Sequence, residues 1–515
     1  MLKINPRKYQ ETIFNTAKSN NTLVVLPTGV GKTLIALMLA IERIKKYPLS
    51  KIIFLAPTRP LVEQHYESFK EQLPELYATL EIFTGSIPSK KRKELFQKAD
   101  IIFSTPQCVA NDLRKYNYTL EDTSLLIIDE AHRCLKNYDY TKVVDYYKRQ
   151  TQFERILGLT ASPGSKPEKV KEICNHLNIE KIESRTRDSE DVKPYLQERE
   201  FEKVEVEFPK EFIEIKTLLN SVYNRLVNNL KTKGFLKGPA NKITLLKLQN
   251  RLSSQISSGN WSAMAAVSQI AQAIKISHAI TLLETQTLSG LDEYFNNLIK
   301  QANAKQSKAV QNLVKSPEFN AARISLSHLT SKQIEHPKIH ALSNLVNSEF
   351  KKEPKSKIII FSQFRETSSK IASTLNKIPK VNASIFIGQA KKSNSRGESS
   401  GLSQKEQKKV IDEFREGKIN VLCATSIAEE GLDIPEVNAV IFYEPIPSAI
   451  RKIQRSGRTA RLAPGKLFMM ITKNTKDEIH HYASSAREKK MHKTLDQIKK
   501  ELSSNNQDKT LDKFN

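Results

Sequence analysis

Leu23-Val24-Val25-Leu26-Pro27-Thr28-Gly29-Val30-Gly31-Lys32-Thr33, followed by the apolar run Leu34–Ile44, is the stretch on which this chain turns. It reads as a strand, a tight loop and a helix. The glycines let backbone N–H groups turn inward around phosphate oxygens, and the helix N-terminus adds partial positive charge. Lys32 brings a mobile cation to the outer phosphates of a nucleotide, and the Thr33 hydroxyl suits Mg²⁺. The strict loop pattern has Gly or Ala where Leu26 stands, so the match is to a relaxed form.

A second run completes such a site. Leu125-Leu126-Ile127-Ile128 leads into Asp129-Glu130-Ala131-His132. Four apolar residues ending in two acids place the carboxylates at the C-terminal edge of a central strand, where parallel sheets bind ligands. Asp129 is then the Mg²⁺-holding acid, and Glu130 orients or deprotonates the attacking water.

Around these two anchors, short β-branched runs alternate with amphipathic stretches. They are Thr22–Leu26, Lys51–Leu55, Ile101–Ser104, Leu125–Ile128 and Arg155–Thr160, and the alternation returns at Lys357–Phe361, Ala383–Ile387, Asn420–Ala424, Ala439–Tyr443 and Leu467–Ile471. Runs of this kind read as parallel strands buried on both faces. The expected fold class is α/β, with two parallel-sheet domains, 1–200 and 346–490, and an all-helical insert over 201–345. Ile276, Ile280, Leu283 and Thr287 recur in the insert at helical spacing. Trp261, the only tryptophan, is expected in its core rather than stacked on a base. Residues 491–515 are expected to form a C-terminal helix and a flexible tail, polar from Ser503 onward. Lys231–Asn241 and Lys391–Ser403 are expected to be mobile.

The 82 Lys and Arg against 56 Asp and Glu give a formal charge of +26, which favours a polyanion partner. Cys108, Cys134, Cys174 and Cys423 lack metal-ligand spacing, which speaks against a zinc or iron–sulfur site. No apolar run is long enough to span a bilayer, and MLKINPRKYQ lacks a signal-peptide core. The expectation is an intracellular, nucleoid-associated protein.

At Asp129-Glu130-Ala131-His132 the chain resembles the DEAH/DExH branch of superfamily 2 helicases, and further blocks match in order. Tyr9 and Gln10 resemble the adenine-reading element. Pro57, Thr58, Arg59, Thr84, Gly85, Thr105, Pro106 and Gln107 resemble strand-end loops that hold a nucleic-acid backbone. Hydroxyls and free N–H groups at strand ends suit phosphate contacts without sequence information. Thr160 and Ser162, with His132, resemble the element that couples the two sites. Ser362 and Gln363 open the second domain. There the resemblance places Thr425 at a nucleic-acid phosphate, and Gly431 and Asp433 near the ribose and γ-phosphate. Gln454-Arg455-Ser456-Gly457-Arg458-Thr459-Ala460-Arg461 resembles the arginine-finger block, making Arg458 and Arg461 fingers and Gln454 a triphosphate sensor. Ala460 replaces a usual glycine. The resemblance implies two RecA-like domains, closing on ATP together with Thr28, Gly29, Gly31, Lys32 and Thr33.

Ile274–Gln286, His336-Pro337-Lys338, Gly388–Lys392, Gly401–Gln407 and Tyr443-Glu444-Pro445-Ile446-Pro447-Ser448-Ala449-Ile450-Arg451 carry the resemblance further, to the archaeal Hef helicase half and its relative FANCM, over roughly residues 1–495. It implies an ATP-dependent helicase or translocase acting on forked or branched DNA, with a thumb-like DNA-binding insert. Its candidate phosphate contacts are Lys231, Lys233, Lys237, Lys242 and Lys247, each equally readable as a solvated face. No acidic cluster here has the pattern of the nuclease domain that follows the helicase in full-length Hef, so no nuclease activity is expected; a separately encoded nuclease partner and a fragment of a longer protein are both open readings. Leu511 and Phe514 resemble a sliding-clamp peptide, departing from it at Asp508 and Asn515. The alternatives are a double-stranded RNA-dependent ATPase, which also carries a helical insert, and a clamp-tethered scaffold at forks.

Overall fold

A computed structural model describes residues 5–73, 77–258, 261–389, 392–393, 399–428, 434–459 and 464–511. Its first lobe contains β1 (Thr22–Val25), β2 (Lys51–Leu55), β3 (Leu80–Phe83), β4 (Ile101–Ser104), β5 (Thr123–Ile128), β6 (Ile156–Thr160) and β7 (Lys181–Ser184). They form a parallel sheet in the order β3-β4-β2-β5-β6-β1-β7. β1, β4, β5 and β6 are buried along their whole length, because helices cover both faces and form two apolar clusters. Only β6 separates β1 from β5, so the loop after β1, the acids after β5 and Thr160 at the end of β6 open on one edge.

The second lobe begins early. β8 (Arg199–Val206) lies along the boundary expected between the first domain and the insert, yet it pairs with the second sheet. β9 (Ile358–Phe361) and β10 (Ala383–Phe386) follow. A small antiparallel hairpin, β11 (Lys392–Ser393) with β12 (Ser399–Ser400), lies in the stretch expected to be mobile. β13 (Val421–Ala424), β14 (Ala439–Phe442) and β15 (Gly465–Thr472) complete the order β10-β13-β9-β14-β15-β8. The ten expected runs are all strands. The three others in the two large sheets, β3, β7 and β8, lie at sheet edges and carry few fully buried residues, so no continuous apolar run marks them.

Between β8 and β9 the insert packs helices Ile213–Thr232, Lys242–Ser257, Met264–Thr285, Leu288–Asn303, Lys308–Val314 and Pro317–Ser331 around its own core. Ile276, Ile280 and Leu283 are buried there. Thr287 instead caps the next helix, accepting from the Gly290 N–H at 3.2 Å. Trp261 does not join the core. It is 63% exposed, with Met264 58% exposed beside it in sequence. The loop after Thr232 folds back, with Leu236 buried and the Tyr223 hydroxyl donating to the Ala240 carbonyl.

A 36-residue helix, Lys476–Leu511, ends the described chain, so helix continues through the polar stretch expected to be flexible. It leaves the second lobe and lays Met491, Leu495 and Ile498 into an apolar cluster of the first, with Lys171 paired to Glu501 at 2.7 Å. No helix among the described residues is long and apolar enough to cross a membrane.

Candidate nucleotide and nucleic-acid sites

The phosphate loop is held from outside. Tyr9 Oη donates to the Val30 carbonyl at 2.6 Å, and Gln10 Nε2 donates to the Val30 and Gly31 carbonyls at 3.3 Å each. Gln10 Oε1 in turn accepts from the Arg7 N–H at 2.8 Å. Gly31 has φ 76°, and a Cβ there would lie 2.4 Å from Gln10 Nε2, so only glycine serves. Lys32 Nζ donates to the carbonyls of Leu26 and Pro27 at 3.1 and 3.0 Å, arching over the loop.

Across the strand edge, Asp129 is buried. His65 bridges it to the loop, with Nε2 2.9 Å from Asp129 Oδ2 and Nδ1 3.4 Å from Thr33 Oγ1. Burial pushes the Asp129 carboxyl up, but His65 and Lys32 outweigh that and hold it below the usual carboxylate range. The aspartate therefore stays ionised, and with the Thr33 hydroxyl on the other side of His65 it supplies hard oxygen donors of the kind that suit Mg²⁺. No motif in the sequence points to His65. It sits on the helix Arg59–Gln72, and nothing local to it announces a partner 64 residues away.

Glu130 adopts φ 51°, which turns its side chain toward His132, whose Nδ1 is 3.2 Å from Glu130 Oε2 and 3.2 Å from Thr160 Oγ1. Thr160 Oγ1 also accepts from the Ser162 N–H at 3.1 Å, and Ser162 Oγ lies 2.9 Å from Met491 Sδ of the long C-terminal helix. The expected coupling residues thus form one connected path.

The second lobe reaches this edge through the helix Ala449–Ser456. Ile453 packs on an apolar cluster of the first lobe. At Gly457 the approach is tight: a Cβ would fall 1.6 Å from Thr28 Oγ1. No sequence signal ties Gly457 to Thr28. Arg458 follows directly, nearly buried, and Gln454 is buried on the same helix. Gly431, Asp433 and Arg461 lie outside the described residues, as does Phe514.

On another face of the interlobe boundary is a cleft of about 980 Å³. The first lobe lines it with Pro57, Thr58, Arg59 and Thr105, and the second with Gln389, Gln404, Lys405, Lys408 and Arg415. The second-lobe basic residues were not expected as site residues. Arg59 Nε is also paired with Glu63 at 2.7 Å. Other expected backbone-holding residues are not in this lining. Thr84 is buried and bonds Ser86, and Ser362 is buried against Ser368 and the Phe364 carbonyl. Pro106 starts the helix Pro106–Arg114, Gly85, Gln107 and Gln363 are exposed, and Thr425 is buried at the end of β13. In the insert Lys231, Lys233, Lys237, Lys242 and Lys247 are all exposed. Lys237 and Lys247 line one groove with Arg251.

Comparison with known proteins matches residues 7–170 to the family "DEAD/DEAH box helicase" and residues 337–463 to "Helicase conserved C-terminal domain". Residues 211–334 match "Putative ATP-dependent RNA helicase, helical bundle". The crystal structure of the Pyrococcus furiosus Hef helicase domain superposes with a TM-score of 0.70 at 41% identity, covering 93% of this chain and 98% of that one. A Methanocaldococcus jannaschii protein named "Putative ATP-dependent RNA helicase" is 39% identical over 95% of this chain. The ATP-dependent DNA helicase mph1 of Sclerotinia sclerotiorum is 33% identical over 97% of it. The chain spans 60% and 41% of the length of these two relatives.

Proposed function

The chain belongs to the Hef family of superfamily 2 helicases, and on that premise we propose that it is an ATP-driven motor that translocates on DNA and remodels forks or junctions. The observation that carries this reading is the contact of Gly457 with Thr28, where the second lobe touches the phosphate loop of the first.

In this reading Lys32 leaves the carbonyls of Leu26 and Pro27 to meet the outer phosphates. Glu130 orients the attacking water. Thr33 and Asp129 would hold Mg²⁺, which supplies charge neutralisation on the phosphate oxygens. Tyr9 and Gln10 keep the loop in shape while Gln10 reads the base. Arg458 meets the charge that develops on the transferred group, with Gln454 and Arg461 completing the second-lobe side and Gly431 and Asp433 near the ribose. Because the finger and the loop belong to different lobes, hydrolysis requires closure, and closure moves whatever the lobes grip. His132, Thr160 and Ser162 carry that change between the sites. Pro57, Thr58, Arg59, Thr105 and the second-lobe residues of the cleft hold the nucleic-acid backbone without reading bases. Thr84, Gly85, Pro106, Gln107, Ser362, Gln363 and Thr425 serve it through backbone groups or by shaping the loops. The insert lysines add a second grip. A clamp contact through Leu511 and Phe514 and a separately encoded nuclease remain part of the proposal.

An RNA reading draws on the names of the helical-bundle family and of the Methanocaldococcus relative. The decisive experiment is ATP hydrolysis and strand displacement with forked DNA, linear duplex DNA and duplex RNA, for wild type and Lys32→Ala. Stimulation greatest by the fork and abolished in Lys32→Ala is expected. Stimulation by duplex RNA alone, or strand displacement that survives Lys32→Ala, would overturn the proposal.

A further inference from the structure

The insert core closes without the chain's only tryptophan. Trp261 opens a short helical turn, Trp261–Ala263, between the helices Lys242–Ser257 and Met264–Thr285. Ala263 and Ala266 enter the core, whereas Trp261 is 63% exposed and Met264 is exposed as well. Single exposed hydrophobic residues are ordinary on a protein surface. What sets this one apart is the charge around it.

Between Glu214 and Glu284 the chain has no Asp or Glu, and it carries seven lysines and two arginines. That stretch supplies nearly all of three insert helices, Ile213–Thr232, Lys242–Ser257 and Met264–Thr285. Among the described residues, only Lys216 and Arg225 of these nine pair with carboxylates, those of Glu284 and Glu318 outside the stretch. Lys237, Lys247 and Arg251 line a groove of about 310 Å³ along the helix Lys242–Ser257. Ile243 and Leu246 are exposed on the same helix, next in sequence to the exposed Lys242 and Lys247. From Arg251 to the end of the helix at Ser257 is about 9 Å, and Trp261 follows just beyond.

A basic groove that leads to an exposed aromatic ring suits a nucleic-acid strand: the cations follow the phosphates, and the ring offers its face to a base. A protein partner fits less well, because the centre of a protein interface is depleted of charge. Bases inside a duplex already stack on one another and hide their faces, so the ring can take only a base that has no partner. We propose that Trp261 is a base-stacking residue: the basic groove of the insert holds the backbone of a DNA strand, and the indole stacks on an unpaired base near the point where the strands of a fork part. This rests on the fork reading above and deepens it, by naming the feature of a fork that the insert recognises. The groove attracts any DNA in a salt-dependent way. The indole adds the preference for unpaired bases.

With one tryptophan in the chain, indole fluorescence reports this residue alone. The probes are a synthetic DNA fork with unpaired arms and the same fork with abasic arms, which keeps the phosphates and removes the bases. For the full wild-type chain the intact fork is expected to quench the indole, and the abasic fork to bind about tenfold more weakly without quenching. Trp261→Ala is expected to weaken binding of the intact fork about tenfold, to the level of the abasic one. Its Tm, its salt slope and its ATP turnover at saturating fork stay as in wild type, and Trp261→Phe restores most of the affinity. Binding of the intact fork without quenching, equal quenching by the abasic fork, or an equal loss of affinity for both forks in Trp261→Ala would overturn the proposal. So would an indole signal that follows protein concentration in the absence of DNA, which assigns Trp261 to a contact between copies. Stimulation of ATP hydrolysis is read in parallel: a fork that quenches the indole but does not stimulate wild type would overturn the motor reading and leave this site standing, whereas stimulation without quenching would do the reverse.

Discussion

The two seams of the second lobe are built differently. Toward the first lobe the contact at the phosphate loop is a glycine against a threonine, with Ile453 packed on the apolar cluster nearby. Toward the insert, Lys338, Asp477, Glu444, His336 and Gln286 are buried together, and hydrogen bonds cross the boundary at Thr285, Glu284 and Thr367. A seam that rests on a small contact area separates at little cost. A seam crossed by several buried hydrogen bonds and an ion pair resists parting more, because all of these partners must be exchanged for water together. In the motor reading proposed above, the second lobe and the insert are expected to move as one body while the ATP-bearing seam opens and closes.

If that contrast is right, changes at the working seam alter rate and spare stability. Arg458→Ala is expected to reduce ATP turnover about 10³-fold, with an unchanged thermal melting profile. A comparable loss of folded protein would blur the two seams into one. His65→Ala separates Asp129 from Thr33 and is expected to lower turnover roughly thirtyfold and raise the Mg²⁺ concentration needed for half activity. Titrating Mg²⁺ against initial rate checks both.

Changes at the fixed seam do the opposite. Burial, with Lys338 beside it, pushes His336 down to about 3, while its bond to the Glu284 carbonyl pulls the other way. The fold thus keeps the imidazole neutral. As pH drops below about 6.5 the unfolded chain takes up a proton that the folded one refuses, so this contribution is complete above 6.5 and declines toward 3. At pH 5 the loss is about 2 kcal/mol. His336→Gln removes it, so the pH dependence of urea unfolding for wild type and variant should diverge by that amount. Parallel curves would mean that the imidazole is not sealed. The smallest effect belongs to the open cleft. Lys405→Ala with Lys408→Ala is expected to weaken fork binding several-fold and reduce the salt slope by about 2, with turnover at saturating DNA preserved. An unaltered slope in salt-dependent binding isotherms would remove these lysines from the path.

The sequence disclosed what depends on neighbours in the chain. Ten strands showed as apolar runs, and the placement of Lys32, Asp129 and Glu130 on one sheet edge followed from strand-end logic. What it concealed depends on distance. β8 carries alternating charge, and only the fold sends it to the second sheet, beside β15. His65 serves two residues that are remote in sequence. Gly457 looks like an ordinary helix stop until Thr28 arrives against it. Trp261 shows the converse error: large and apolar, it was assigned to a core that closes without it.

The helix Lys476–Leu511 sets a mechanical bound. At about 1.5 Å per residue it is a rod of roughly 54 Å, clamped at Asp477 in one lobe and bedded through Met491, Leu495 and Ile498 in the other. A rod cannot stretch. Wider gaping of the motor must either tear those three side chains from their bed or skid them by a helical turn, about 5.4 Å. In the motor reading proposed above, the length of each stroke is then metered by a strut that carries none of the groups assigned to the nucleotide.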